Sequence, residues 1–398
     1  MIIQPRIKGF LCTTAHPQGC AQDVENQISR VRAGGLIKAG PRRVLVIGSS
    51  GGYGLASRIS AAFACSAATI GVFFERASKK GRTASAGWYK SAAFTRAAHD
   101  AGLYASNFNG DAFSTEMKSA VIDCIKRDLG QVDMVIYSLA APARTLPSGE
   151  TVRSVLKPIG EAFEGTTIDF NTQQLRSLTL QPAEPEEIAD TVKVMGGEDW
   201  EDWIKALLEN DCLAEGCLTT NYTYLGSQVT WPIYYHGTIG KAKEDLDRAA
   251  ASVVSALHGV AGKAHVVVMK GLLTQAASAI PGMSVYLSLL FRAMKGAGTH
   301  EGCIEQTDRL FRTQLFSGEP LRQDKSGRIR MDNLELDDAI QDYVRRYWHK
   351  VNQENLGELT DFEGYRQAFL QMHGFDFAEV DYALDVEPDV PMLLEGVE

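Results

Sequence analysis

The chain has 398 residues, 45% hydrophobic and 22% charged, the make-up of a globular protein long enough for a large core. A net charge of −9 argues against nucleic acid as a principal partner, and the lack of any long apolar run argues against a membrane span. Seven cysteines without a Cys-x-x-Cys pair, and eight histidines without a ligand spacing, point to reduced thiols and no metal site.

Met1 to Phe10 lack the charged-then-apolar layout of a secretory leader, so a soluble cytoplasmic protein is expected. From residue 42 onward, short apolar runs alternate with helical patterns. Strands are predicted at 42–48, 68–75, 103–109, 132–138, 218–225 and 264–269, and helices at 52–65, 88–101, 113–129, 240–258, 284–296 and 302–314. This is the order of an α/β doubly wound parallel sheet, Rossmann-like, whose ligands lie beyond the carboxyl ends of the strands. The chain, 1–398, reads as one such domain with N- and C-terminal extensions. Between 142 and 211 polar, proline-containing segments break the alternation. They predict an inserted lid over the site, with a hairpin at Leu175–Leu180 and helices at 186–194 and 199–208. A late amphipathic helix is predicted over 360–370.

The first strand runs into Gly48-Ser49-Ser50-Gly51-Gly52-Tyr53-Gly54 and then into a helical pattern. Glycine is needed where backbone takes positive φ, approaches a pyrophosphate closely, or lets a helix pack tightly on a strand. The helix beginning there aims unpaired N–H groups at the phosphates. The spacing, G-x3-G-x-G, differs from the common G-x-G-x-x-G fingerprint.

The second strand ends in Phe74-Glu75, where a carboxylate accepts both ribose hydroxyls and repels a 2′-phosphate, which favours NADH over NADPH. Arg76, Lys79, Lys80 and Arg82 follow, either receiving a phosphate or forming a solvated loop. At the end of the third strand, Asp111-Ala112 offers an acceptor for the adenine amino group, or equally a cap for the next helix. The fourth strand ends in Leu139-Ala140, small enough in part for backbone to pass close to a cofactor.

After the fifth strand comes Tyr234-Tyr235-His236-Gly237-Thr238-Ile239-Gly240-Lys241-Ala242-Lys243. Hydride delivery builds negative charge on a substrate oxygen, which a tyrosine stabilises or protonates, and a nearby ammonium lowers the phenol pKa. Nine steps on a continuous helix, at about 100° each, would put Tyr234 and Lys243 on opposite sides. Gly237 and Gly240 predict instead that Tyr234 lies in an irregular turn and Lys243 in the helix it leads into. Tyr235 and Lys241 are local rivals that residue chemistry alone does not separate, and a buried aromatic beside a surface lysine is the plain structural alternative.

These features, with Met1-Ile2-Ile3-Gln4-Pro5-Arg6, Ala86-Gly87-Trp88-Tyr89, Met195-Gly196-Gly197-Glu198-Asp199-Trp200 and Thr299-His300-Glu301-Gly302-Cys303-Ile304-Glu305-Gln306, resemble the trans-2-enoyl-CoA reductase and FabV-type enoyl-acyl-carrier-protein reductase family, relatives of the short-chain dehydrogenases. The resemblance runs over nearly the whole chain. Its hallmark Tyr-x8-Lys fits only Tyr234 and Lys243 as the catalytic pair. It further implies NADH binding by Gly48, Ser49, Ser50, Gly51, Gly52, Tyr53, Phe74, Glu75, Asp111, Ala112, Leu139, Ala140, Lys243, Leu272, Leu273 and Thr274, and substrate binding by Tyr224. The implied activity is NADH-dependent reduction of the trans-2 double bond of an enoyl-CoA or enoyl-acyl-carrier-protein by a monomer. A short-chain-dehydrogenase-type carbonyl reductase is the alternative. An acidic carrier protein would need a local basic patch, for which Arg292 and Lys295 are candidates. Residues 275–283 and the helix through Leu287, Leu290 and Phe291 line an acyl channel or form an ordinary core helix.

Overall fold

The computed structural model describes residues 1–396. Seven parallel strands form its central sheet: β1 (Arg43–Ile47), β2 (Ala68–Phe73), β3 (Ala105–Asn109), β4 (Val132–Tyr137), β5 (Leu213–Thr223), β6 (Lys263–Val268) and β7 (Ile329–Arg330). Their spatial order is β3-β2-β1-β4-β5-β6-β7, so the winding reverses between β1 and β4. A crevice opens at such a reversal because the connections leave β1 and β4 toward opposite faces.

Strand residues alternate between two cores, as a period of two requires. Val44 and Val46 pack with Leu55, Ile59 and Phe94 on one face, while Leu45 and Ile47 pack with Val121, Trp203 and Leu246 on the other. The helices of the first face are α1 (Pro17–Ala33), α2 (Gly52–Cys65), α3 (Ala86–Asp100) and the later helix Cys303–Leu310. Those of the second are α4 (Thr115–Cys124), α6 (Glu198–Glu209) and α7 (Thr238–Ala256), with α5 (Pro185–Met195) packed on α7. A third core joins α8 (Met283–Gly296) to α9 (Asp338–Tyr347) and α10 (Phe362–Met372), with Leu287, Leu290, Val344, Trp348 and Phe369 inside it.

The six predicted sheet strands and the helices between them are present with small shifts at their ends. Strand β5 begins five residues earlier than the pattern indicates, since its register slips between Leu213 and Leu218 around Gly216 at φ +74°, which breaks the alternation. The helices predicted to 129 and 314 finish as π turns, Ile125–Leu129 and Phe311–Leu315. Helix α1, α9 and the two-residue β7 were not indicated by periodicity. In the 142–211 region, Leu175–Leu180 does form a hairpin, paired with Phe163–Ile168, and α5 and α6 occupy the predicted helical segments. No helix among the described residues is long and apolar enough to cross a membrane.

Candidate active site

The glycine turn is shaped by contacts that leave no room for side chains. At Gly48, φ is +86° and a methyl group would lie 2.1 Å from the Ser138 carbonyl oxygen; at Gly54 it would lie 1.9 Å from that of Gly48. Turn, β4 end and α2 are thereby locked together. Gly51 caps α2 without a side-chain acceptor and faces open space, which leaves the first N–H groups of the helix for an anion. Across the turn, a methyl on Gly52 would touch Thr274 at 3.4 Å, and the Tyr53 hydroxyl donates to the Lys270 carbonyl (2.7 Å), so the Leu272–Thr274 segment is fixed beside Gly51 and Gly52.

Ser49 is buried against β2, and Ser50 donates to Glu75 Oε1 at 2.7 Å. The Glu75 backbone is held in turn by Asn109, which accepts from its N–H (2.7 Å) and donates to its carbonyl (2.9 Å). Phe74 is 80% exposed, a large apolar face left bare at a strand end. Asp111 does not cap α4: it accepts from the Phe113 N–H at 2.9 Å, while Ser114 caps the helix by accepting from Met117. The cap reading fails because the helix starts two residues later than expected. Leu139 and Ala140 follow β4 directly beside Gly48.

Tyr234 lies in the irregular turn before α7, and Lys243 in the second turn of that helix, as the glycines predict. The Gly237 and Gly240 N–H groups both donate to the Tyr234 carbonyl at 3.1 Å. A methyl on Gly240 would strike the Tyr235 carbonyl oxygen at 1.9 Å, so the turn can lie against the helix only with glycine there. Burial separates the rivals. Tyr234 is 6% exposed, whereas Lys241 is exposed and committed to Glu244 at 2.8 Å. Lys243 is partly buried, and among the described residues it makes no ion pair or hydrogen bond; burial lowers its pKa to about 8. Burial also pushes the Tyr234 phenol above its ordinary value. The expected ammonium-lowered phenol is therefore corrected: no charge offsets the desolvation of Tyr234, and it stays a neutral donor. Tyr224, at the end of β5, meets the Tyr234 ring edge to face with centroids 4.9 Å apart. Burial raises the Tyr53 pKa, with Cys303, Glu335, Glu301 and Tyr234 adding to the rise, so the glycine-turn tyrosine and Tyr234 share one environment.

Residues 82–316 match the trans-2-enoyl-CoA reductase catalytic region, and residues 2–80 match the NAD(P)H binding domain of trans-2-enoyl-CoA reductase. The chain belongs to the trans-2-enoyl-CoA reductase family. Among its relatives, the enoyl-[acyl-carrier-protein] reductase [NADH] FabV of Aeromonas salmonicida is 55% identical over 98% of both chains, and that of Opitutus terrae, also an enoyl-[acyl-carrier-protein] reductase [NADH], is 53% identical over 99% of this chain and 100% of its own. The crystal structure of Clostridium acetobutulicum trans-2-enoyl-CoA reductase in complex with NADH superposes with a TM-score of 0.95 at 41% identity, covering 100% of both chains. That of the Treponema denticola enzyme in complex with NAD gives 0.93 at 44% identity and the same coverage.

A third family profile, the enoyl reductase FAD binding domain, matches residues 323–386. The residues there do not fit a flavin. Ile340, Val344, Trp348, Phe362, Tyr365 and Phe369 fill the third core against α8, and Gly374 is packed against the His16 carbonyl and the Cys20 N–H of α1. The glycine turn, by contrast, fits a dinucleotide, because Gly51 faces open space and the first N–H groups of α2 have no side-chain cap.

Within the family motifs, Glu301 pairs with Arg309 at 2.6 Å and Gln306 accepts from the Tyr53 hydroxyl (3.1 Å) and the Lys270 N–H (2.9 Å), so this motif braces the turn. Lys295 pairs with Asp361 at 2.6 Å, which commits one of the two candidate carrier-patch cations. Leu287, Leu290 and Phe291 are buried among the C-terminal helices, with Tyr224, Leu273 and Ile280 packed against the same core. Sequence reasoning missed Glu335, fully buried beside Tyr224. The one signal it carries is an acid enclosed by Leu334 and Leu336.

Proposed function

We infer that the protein reduces the trans-2 double bond of enoyl thioesters with NADH, yielding the saturated acyl thioester of fatty acid synthesis. The observation that carries this reading is the buried Tyr234, edge to face with Tyr224, in the turn that leads into the helix carrying the unpaired Lys243. NADH, when bound, supplies the hydride that adds to the β-carbon. Charge then develops on the thioester oxygen. Tyr234 donates its hydrogen bond to that oxygen and its proton completes the addition at the α-carbon; its raised pKa keeps that proton in place until the charge appears. Tyr224 holds the thioester from the other side. When NADH is bound, the Lys243 ammonium and the Glu75 carboxylate would hold its ribose hydroxyls, Phe74 would lie by its adenine, and the N-terminus of α2 would take the pyrophosphate.

The 142–211 insertion acts as a wall of the site. In support, the Thr238 N–H donates to the Lys157 carbonyl at 3.0 Å and Pro158 bridges Gly237, so the insertion steadies the start of α7. On this reading the thioester is carried by CoA or by an acyl carrier protein, and the proposed form is a cytoplasmic monomer.

Purified protein with NADH and crotonyl-CoA should turn over, with acetoacetyl-CoA inert; the opposite preference would make it a carbonyl reductase. Tyr234→Phe should lower kcat by about 10²–10³-fold while the Kd for NADH, read by fluorescence, stays close to wild type. Near-normal turnover would remove Tyr234 as the donor.

A further inference from the structure

Glu335 is fully buried and forms no ion pair within 4.0 Å among the described residues. Its carboxylate instead collects three neutral donors from three parts of the fold. The Tyr224 hydroxyl donates to Oε1 at 2.8 Å, the Tyr286 hydroxyl of α8 donates to the same oxygen, and the Gly271 N–H donates to Oε2. The Gln341 side chain donates to the Glu335 carbonyl at 2.7 Å and fixes the backbone that presents it. The fit is close: a methyl at Gly271 would lie 2.9 Å from the Tyr224 hydroxyl and 3.2 Å from Glu335 Oε1. A buried carboxylate persists only when its lone pairs are filled or a cation lies near; here the three donors fill them and the charge of Lys270 adds to their support.

We propose that Glu335 is a positioning residue of the reductase, holding the Tyr224 phenol, and through it the Tyr234 ring, in register with the thioester. This rests on the reading of Tyr224 as a substrate contact. The geometry gives the acid this task because the Tyr224 hydroxyl donates to it at 2.8 Å, and the Tyr224 ring in turn forms the edge-to-face wall of Tyr234. Burial raises the Glu335 pKa, and Lys270 with the same donors counters only part of that rise. Without the carboxylate, the phenol is free to rotate about its ring axis and to tilt toward the open site. The substrate end of the pocket then loses its fixed wall while the glycine turn, braced separately by Gln306, keeps its shape.

A double-mutant cycle tests this. Glu335→Gln, Tyr224→Phe and the pair are compared by kcat/KM for crotonyl-CoA, together with Tm. Glu335→Gln is expected to lower kcat/KM about 10-fold in the wild-type background and about 2-fold or less when Tyr224 is already phenylalanine, because residues acting through one contact are not additive. Equal losses in both backgrounds, or a fall in Tm without a loss of kcat/KM, would overturn the proposal and leave Glu335 as a structural acid. If Tyr224→Phe alone is silent, the substrate role of Tyr224 fails and the proposal with it; an active-site effect of Tyr224→Phe beside a silent Glu335→Gln defeats the proposal alone. Should the amide variant not fold, Glu335→Asp keeps the charge, withdraws it by one methylene and is read in the same cycle.

Discussion

Burial acts on Lys243 and Tyr234 in opposite directions, because water is withdrawn from the charged form of each: the ammonium of one and the phenolate of the other. Tyr234 therefore keeps its proton over the whole working range, and Lys243 loses its own near pH 8. If the ammonium is needed, kcat/KM falls as pH rises through about 8, and that limb belongs to the lysine; a profile flat to pH 10 would mean that charge at Lys243 is dispensable. Stability moves the other way. The folded pKa lies below the ordinary 10.5, so between about 8 and 10.5 the unfolded chain binds more protons and the folded state gains as pH rises. Lys243→Met should accordingly be more stable than wild type below pH 8, with the advantage shrinking toward pH 10.5, as denaturant unfolding across that range will show.

Two glycines separate what an element needs from what a side chain tolerates. At Gly240 the obstacle is backbone, the Tyr235 carbonyl at 1.9 Å and that of Tyr234 at 2.7 Å, so Gly240→Ala must push the Tyr234 turn off α7. A loss of about 2–4 kcal/mol in stability and a severe loss of kcat are expected from thermal unfolding and steady-state assays. At Gly87, the first turn of α3, the first obstacle is the Glu75 carboxylate at 2.0 Å, the far end of a side chain that Ser50 holds, and the next is the Ser50 Cβ at 2.9 Å. Gly87→Ala should displace that carboxylate and raise KM for NADH several-fold while Tm hardly changes. A large fall in Tm would show that α3 cannot move even slightly at this point.

Across the whole molecule, the last described residues close the sheet at β3. The Trp88 indole donates to the Val390 carbonyl (2.9 Å), Asn107 donates to Leu393 (3.1 Å) and accepts from the Glu395 N–H (2.8 Å), and the Tyr89 hydroxyl donates to Pro388 (2.6 Å). Ending the chain after Glu387 should lower Tm by roughly 2–5 °C, and an unchanged Tm would make this tail a passive wrap. Such a strap is invisible to pattern reading, because its partners lie about three hundred positions away. The doubly wound order was legible, since strands such as Val44–Ile47 carry continuous apolar runs and the turn at Gly48–Gly54 carries its glycines locally. The position of Tyr234 off the helix was legible for the same reason, from Gly237 and Gly240. Periodicity missed α9, whose apolar face consists of little more than Ile340 and Val344, and it missed β7, which is two residues long. Sequence alone thus determined the sheet, the cofactor turn and the two tyrosine-lysine candidates, for these depend on neighbours within a few residues. Which tyrosine is buried, which lysine is spent on a surface pair, and the gathering of Tyr224, Gly271 and Tyr286 around Glu335 were decided only by the tertiary structure, because those contacts join residues 111, 64 and 49 positions apart, and only the folded core removes them from water.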